Sequence, residues 1–232
     1  MKTAIMQPYF LPYIGYFQLI AAADWFVIYD NIKYTKKGWI NRNRFLQNGK
    51  DGIFSISLTK GSDSLDVRER EISTVFERDR MLQQFIMAYA KAPYFDSAIP
   101  VIRDSVLSPE NNLFGYIYNS VKAICAYLDI RTKIIVSSEI NIDHANLRAQ
   151  DKVIAICKEL KSDAYINPIG GVELYSKEEF EKNGINLSFL RADDIKYAQF
   201  GADFIPSLSI LDVLMFNSKE QVINLLKQFS LS

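Results

Sequence analysis

Apolar and polar positions along the chain fall into blocks that read as strand, helix and strand from the first residues onward. Thr3–Met6 is a short apolar run, as expected of a buried central strand. Ile14–Ala23 sets Ile14, Phe17, Leu19, Ile20 and Ala21 on a broad apolar face and predicts a helix. Trp25–Tyr29 is aromatic and β-branched and closes on Asp30, which predicts a second strand. Strand, tight loop, helix and strand make a βαβ unit, so the two strands are expected to be parallel neighbours.

Further along, Asn48-Gly49-Lys50-Asp51-Gly52 reads as a hairpin turn of the Asn-Gly type between strands Arg44–Gln47 and Ile53–Leu58. Lys60–Leu65 reads as a polar loop. The pattern turns helical from Ser73 to Leu128, with the best helices over Arg80–Lys91 and Leu113–Leu128. Ala92–Phe95 and a turn at Ser108–Asn112 separate them, and Ser108-Pro109 has the form of a helix start. Lys133–Ser137 predicts a strand, Leu147–Leu160 an amphipathic helix, and Ala164–Pro168 the end of another strand, followed by a glycine turn at Ile169–Gly171. Ser176–Asn183 reads as a helix with a Ser176/Glu179 capping box and Gly184 as its C-cap. Leu187–Leu190 is a further strand, and Ile210–Met215 and Lys219–Phe229 are C-terminal helices. The fold class is therefore α/β, with a parallel-sheet, Rossmann-like core. The expected organisation is one α/β domain over 1–232, with a basic hairpin segment at 31–60 and a helical insertion at 73–128.

Composition narrows the function. With 27 Lys+Arg against 27 Asp+Glu, the 232-residue chain has no net charge to draw it to nucleic acid or an anionic membrane. No apolar run approaches the ~20 residues of a membrane-spanning helix, and no signal-peptide pattern is present, so a cytoplasmic protein without membrane insertion is expected. Cys125 and Cys157 sit in apolar helical patterns and read as small buried hydrophobes. Neither CxxC nor HxxxH spacing occurs, so no metal site is expected. GxGxxG and P-loop fingerprints are also missing, so no cofactor is identified.

Three segments carry candidate chemistry. The first is Ile5–Phe17, where Pro8 and Pro12 stiffen an aromatic loop after the first strand. Gln7, Tyr9, Tyr13 and Tyr16 would line its mouth, and Gly15 would let another backbone or a ligand approach closely. The second is the basic segment that includes Lys33, Lys36, Lys37, Trp39, Asn41, Arg42, Asn43 and Arg44. Its planar amides and guanidinium forks suit phosphates or sugar hydroxyls, with a base or sugar stacked on Trp39. Asp30, at the end of its strand, is expected to point into the crevice that Gln7 faces. The third joins Gln150 and Asp151, near a helix start, to Asn167, Gly170 and Gly171, whose backbone could cradle an anion. His144, the single histidine, lies in a polar loop before a helix.

Six stretches together resemble the WbqC-like protein family: Q-P-Y-F-L-P-Y-I-G-Y-F from Gln7, F-V-I-Y-D from Phe26, K-G-W-I-N-R-N-R from Lys37, Q-D from Gln150, Y-I-N-P-I-G-G from Tyr165, and S-L-S-I-L-D-V-L-M-F-N from Ser207. The resemblance implies a role in bacterial O-antigen, lipopolysaccharide or other polysaccharide biosynthesis, and transfer of a glycyl or other acyl group to a sugar. The implied partners are a nucleotide-linked sugar and an acyl or aminoacyl carrier. In that reading Lys37, Arg42 and Arg44 hold the diphosphate, Trp39 and the Tyr9–Tyr16 loop stack the base or sugar, and Gln7 orients a hydroxyl. Asp30 or His144 takes the acceptor's proton. The opening βαβ unit is also similar to that of HIGH-motif nucleotidylyltransferases, with Tyr13 and Tyr16 where those enzymes carry phosphate-binding histidines. An ATP-using nucleotidylyltransferase-like enzyme and a non-catalytic sugar-nucleotide binder are the alternatives.

Overall fold

Ala4 faces one apolar core and its neighbour Ile5 faces another. A strand buried on both sides must lie between two helical layers. The structure, a computed structural model, describes residues 1–201 and 203–232. In chain order the elements begin with β1 (Lys2–Met6), α1 (Ile14–Ala22), β2 (Trp25–Ile28), β3 (Arg42–Gln47) and β4 (Lys50–Ser55). Three helices follow, α2 (Arg78–Tyr89), α3 (Phe95–Val106) and α4 (Leu113–Tyr127). The second half runs β5 (Lys133–Val136), α5 (Ala149–Glu159), β6 (Ala164–Pro168), α6 (Lys177–Lys182), β7 (Asn186–Ala192), α7 (Ile210–Phe216), α8 (Lys219–Leu225) and β8 (Phe229–Leu231).

The main sheet has the order β5-β2-β1-β6-β7-β8. Its first five strands are parallel, and β8 pairs antiparallel with β7. The chain winds from β1 out to β5, then returns to the other side of β1 at β6. That reversal makes a topological switch point, with a crevice outside the carboxyl ends of the strands. One sheet face, with Ile5, Val27, Tyr165, Leu187 and Phe189, is covered by α5 and by Phe180 of α6. The other, with Ala4, Phe26, Ile28 and Ile166, packs against α1, the α2–α4 insertion, α7, α8 and the β3–β4 hairpin.

The hairpin is tighter than its sequence suggests. Asn48 and Gly49 both have positive φ, 52° and 73°, and Gln47 pairs directly with Lys50. This is a two-residue loop, so β4 starts at Lys50 and not at Ile53. Phe45 and Phe54 meet Phe85 of α2 edge to face at 5.4 and 5.0 Å. The hairpin is thereby held on the helical insertion as a separate two-stranded sheet.

Other expected boundaries also move. A third helix, α3, occupies the stretch between Ala92–Phe95 and Ser108, and α4 begins at Leu113. Ser108-Pro109 does not start it, because Asn112 is its cap and accepts from the Gly115 N–H at 3.2 Å. Ile169–Leu174 forms a 3₁₀ segment in place of a glycine turn. Ser176 caps α6, accepting from the Glu179 N–H at 3.3 Å. Its own N–H donates to Gln150 Oε1 at 2.7 Å, so Gln150 completes the box that Glu179 was expected to complete. The last expected helix stops at Leu225, and the chain returns as strand β8. Gln18, fully buried in α1, donates its amide to the carbonyls of Leu225 and Gln228 at 2.9 and 2.8 Å and satisfies that helix end. Both cysteines are free, and burial pushes their thiols up to about 12. Among the described residues no helix is long and apolar enough to cross a membrane.

A buried carboxylate ties α7 to the hairpin. Asp212 has no solvent exposure and accepts from Tyr89 Oη at 2.9 Å, Tyr197 Oη at 2.7 Å and Gln199 Nε2 at 2.7 Å. Tyr89 Oη in turn accepts from the Leu46 N–H at 2.8 Å. Burial raises the Asp212 pKa above the ordinary carboxylate value, against the lowering effect of the three hydrogen bonds. The folded state therefore keeps its proton to higher pH than the unfolded chain. The contribution of Asp212 is greatest below the ordinary carboxylate value and declines as pH rises through the folded one. Asp212→Ala leaves three donors without an acceptor and is expected to cost on the order of 3 kcal/mol in urea unfolding. Asp212→Asn cannot ionise, so the wild-type advantage over it should shrink as pH rises through the raised value.

Candidate functional site

The loop after β1 carries two prolines, so its backbone is short of donors and rich in acceptors. Its neighbours supply the donors. The buried Leu11, in the left-handed region at φ 43°, presents a carbonyl that accepts from Asn43 Nδ2 at 2.9 Å and Ser209 Oγ at 2.7 Å. The Pro12 carbonyl accepts from the Ile210 N–H at 2.7 Å, the Phe10 N–H donates to the Ile40 carbonyl at 3.0 Å, and the Ser209 N–H donates to the Arg44 carbonyl at 2.9 Å. Three distant segments, 10–13, 40–44 and 207–210, are thus laced into one seam.

Above that seam lies a cavity of about 390 Å³ lined by Tyr9, Pro12, Tyr13, Trp39, Asn43, Arg44 and Ser207. Tyr13 and Trp39 are 37% and 45% exposed, open enough to meet a ligand. The Arg42 guanidinium stands 5.4 Å from the Trp39 ring centre and donates to the Gly38 and Lys37 carbonyls, which holds the indole in place. Arg44 reaches Asp51 at 3.1 Å and the Pro206 and Ser207 carbonyls at 3.2 Å. Tyr9 donates to Gln7 Oε1 at 3.2 Å, and its ring lies 5.8 Å from that of Tyr16. Burial raises the Tyr9 and Tyr13 hydroxyls, so both stay neutral near pH 7. Three rings, an amide and a guanidinium suit a flat, hydroxylated ligand that is stacked on one face and hydrogen-bonded at its edge.

A second cavity, about 540 Å³, opens where the chain leaves β2 and approaches α5, with Tyr29, Asn31, Lys33, His144, Arg148 and Lys152 in its lining. His144 Nε2 lies 2.8 Å from the Ile140 carbonyl and must carry the proton there. Its Nδ1 therefore accepts from Asn31 Nδ2 at 3.1 Å, which fixes the orientation of the ring. A further cavity, about 680 Å³, lies at the other end of the strands, against Met1, Trp25 and Lys133 at their amino ends.

A family model for the WbqC-like protein family matches residues 7–224. The chain belongs to that family. A relative is the uncharacterized protein Rv1507c of Mycobacterium tuberculosis (strain ATCC 25618 / H37Rv), 28% identical over 219 residues that cover 93% of each chain. No solved structure matches.

In this WbqC-like chain the first cavity gathers Tyr9, Tyr13, Trp39 and Arg44. The remaining expected residues sit elsewhere. Gly15 makes room for the Tyr13 ring, which a Cβ would meet at 2.3 Å, so the close approach expected at this glycine is made by a side chain. Tyr16 is buried against Phe26 at 5.3 Å and donates to the Gln7 carbonyl at 3.0 Å, so its ring belongs to the core. Asn41 is turned into the hairpin, where it accepts from Tyr34 Oη and donates to the Ile56 carbonyl, both at 2.8 Å. Gln7 and Lys37 are exposed, as is Asp151 in the first turn of α5. Asn167 folds back to accept from Tyr165 Oη at 3.0 Å, and a Cβ on Gly171 would strike its amide at 1.9 Å. Gly170 is exposed.

Asp30 differs most from expectation. It does not face the Gln7 crevice but points to the end of β5, where Oδ1 accepts from Ser137 Oγ at 2.8 Å and the Ser138 N–H at 3.0 Å. Oδ2 accepts from Ser138 Oγ at 2.6 Å and faces Arg68 at 3.8 Å. With 3% exposure the carboxylate anchors the end of β5 and is turned away from the first cavity. Of the lining residues, Ser207 lies outside the three candidate segments, and Asn43 was named there without a role of its own. Asn43 was legible in the alternation of R-N-R-F along β3, where Asn43 and Phe45 turn inward and the arginines outward.

Asn43 also accepts from the Arg44 N–H at 2.8 Å. Asn43→Ala is expected to cost about 1–3 kcal/mol in urea unfolding. Asn43→Asp should cost at least as much at neutral pH, because a carboxylate would face the Leu11 carbonyl without a hydrogen to donate.

Proposed function

We propose that the protein is a transferase that passes an acyl or aminoacyl group, glycyl in the simplest case, to a nucleotide-linked sugar. One observation carries the reading. The proline–aromatic loop, the Trp39–Arg44 segment and the Ser207 segment are far apart in sequence, yet they meet around one cavity of three rings and a guanidinium. Tyr13 and Trp39 would stack the sugar or base, while Arg44 would address its hydroxyl oxygens. Family membership supports it through the sugar-modifying role that the resemblance implies.

The cavity holds no free carboxylate or imidazole to act as a base. An amine is therefore the fitting acceptor, since its neutral form attacks without prior deprotonation. In this step the sugar's amine attacks the carbonyl carbon of a carrier thioester. The C–N bond forms, the C–S bond breaks, and the surplus proton passes through solvent to the leaving thiolate. Such a reaction would serve the assembly of O-antigen or a related surface polysaccharide from cytoplasmic precursors. The nucleotidylyltransferase alternative is disfavoured, because the buried Tyr16 leaves one expected phosphate-contacting position inside the core.

A melting-temperature screen of amino-sugar nucleotides should give a rise for the correct ligand. Trp39→Ala should weaken that ligand about tenfold or more, as loss of a stacking ring does. Incubation with glycyl and acyl thioesters should yield an amide detectable by mass spectrometry. Binding without product on any donor would make the protein a sugar-nucleotide binder. An unshifted melting temperature across the panel would remove the sugar nucleotide altogether.

A further inference from the structure

The second cavity has no part in the reading above, and cations outnumber carboxylates in its lining. Lys33, Arg148 and Lys152 line it, and among the described residues none has a carboxylate within ion-pair distance. Lys152 Nζ is held 3.2 Å from Asn31 Oδ1 and 5.1 Å from the Tyr29 ring centre. Arg148 donates to the His144 and Leu147 carbonyls at 3.3 and 2.8 Å, which fixes its guanidinium at the rim. The acidic group in the lining is Asp66, but it caps the 3₁₀ turn at Val67–Glu69 and stands 3.9 Å from Arg68. Asp30, deeper, is consumed by Ser137, Ser138 and Arg68.

Half-burial lowers the Lys152 pKa, and the charges of Arg148 and Arg68 push it the same way, against Asp66 and Asp30. Burial raises the Tyr29 and Tyr175 hydroxyls, so both stay neutral near pH 7. Like charges crowded around an open volume are unfavourable until an anion enters it.

We propose that this cavity is a binding site for a phosphate-bearing ligand. Lys33, Arg148 and Lys152 surround the phosphate oxygens, and Tyr29 and Tyr175 pack against the group the phosphate carries. Charge-assisted hydrogen bonds to phosphate are about twice as strong as neutral ones, and a volume of about 540 Å³ accommodates more than a free ion. The phosphate belongs either to the diphosphate of a nucleotide or to the phosphopantetheine arm of an acyl carrier. The site stands whether or not the transfer reaction does.

Titration calorimetry at low salt with inorganic pyrophosphate, uridine diphosphate and 4′-phosphopantetheine tests the proposal. Saturable one-to-one binding is expected, weakening as salt rises. Lys152→Gln and Arg148→Gln should each weaken it about tenfold, which is 1.4 kcal/mol. Lys152→Arg keeps the charge and should bind within about threefold of wild type. Unliganded melting temperatures establish that the variants are folded. The tighter of the two organic probes identifies the source of the phosphate. Trp39→Ala, in the other cavity, should leave pyrophosphate binding unchanged, so this result is separable from any failure of the transferase reading. Unweakened binding in both glutamine variants would overturn the site, as would loss of binding in Trp39→Ala alone. Absence of saturable binding for all three probes would overturn it too.

Discussion

The carbonyl oxygen of Leu11 is the point on which the arrangement of the first cavity depends. It is buried, it belongs to a non-glycine residue in the left-handed region, and it lies between two prolines that offer no hydrogens of their own. Such an oxygen must be satisfied from outside the loop. Asn43 and Ser209 satisfy it, and the Pro12 carbonyl recruits the Ile210 N–H beside it. Once those bonds form, the register of the loop against β3 and against the head of α7 is set. The positions of Tyr13, Trp39 and Arg44 follow from that register. The prolines thus do more than stiffen the loop: by withholding donors they dictate which segments must close around it.

The Asp212 network extends the same constraint into the insertion. Ser209 and Asp212 lie three residues apart at the start of one helix, and one reaches the β1 loop while the other reaches α2, Gln199 and, through the Tyr89 hydroxyl, β3. The hairpin, which shares no backbone pairing with the main sheet, is held from two sides by a single turn of α7. Phe45, Phe54 and Phe85 supply the apolar half of that attachment.

Legibility in the sequence followed the range of the physics involved. The βαβ opening, the parallel core and the cap of α6 rest on local periodicity and local hydrogen bonds, and the sequence reading recovers them. Proximity of the β1 loop to the Trp39–Arg44 segment was also expected, but the fold achieves it through the Leu11 and Ile40 carbonyls and not through Asp30. Side-chain direction was not. Asp30 closes its strand as expected, but the serines that hold it are more than a hundred residues away, and nothing near Asp30 announces them. Tyr16 and Asn41 are turned into the interior for a related reason. A polar group in an aromatic or basic motif looks available until its distant partner, the Gln7 or Ile56 carbonyl, is known. β8 was missed because the helical pattern persists past Leu225, and it is the tertiary cap from Gln18 that ends the helix.

The distribution of charge argues for two subsites and against one. In the sequence the densest basic run, Lys33 to Arg44, looks like a diphosphate clamp. In the fold that run is divided. Arg42 braces Trp39, Arg44 is paired with Asp51, and Lys36 is paired with Asp63. Lys33 stands apart from these, in the lining of the second cavity with Arg148 and Lys152, which come from a different part of the chain. A chain with zero net charge thus brings three cations without carboxylate partners together in one cavity and exposes aromatic surface in another. Stacking and phosphate recognition make opposite demands on hydration, since rings bind best where water is readily displaced and phosphates where donors replace it completely. Keeping the two apart lets each wall be built for one task, and a ligand with a flat ring and a phosphate, or two ligands that each carry one, would find both.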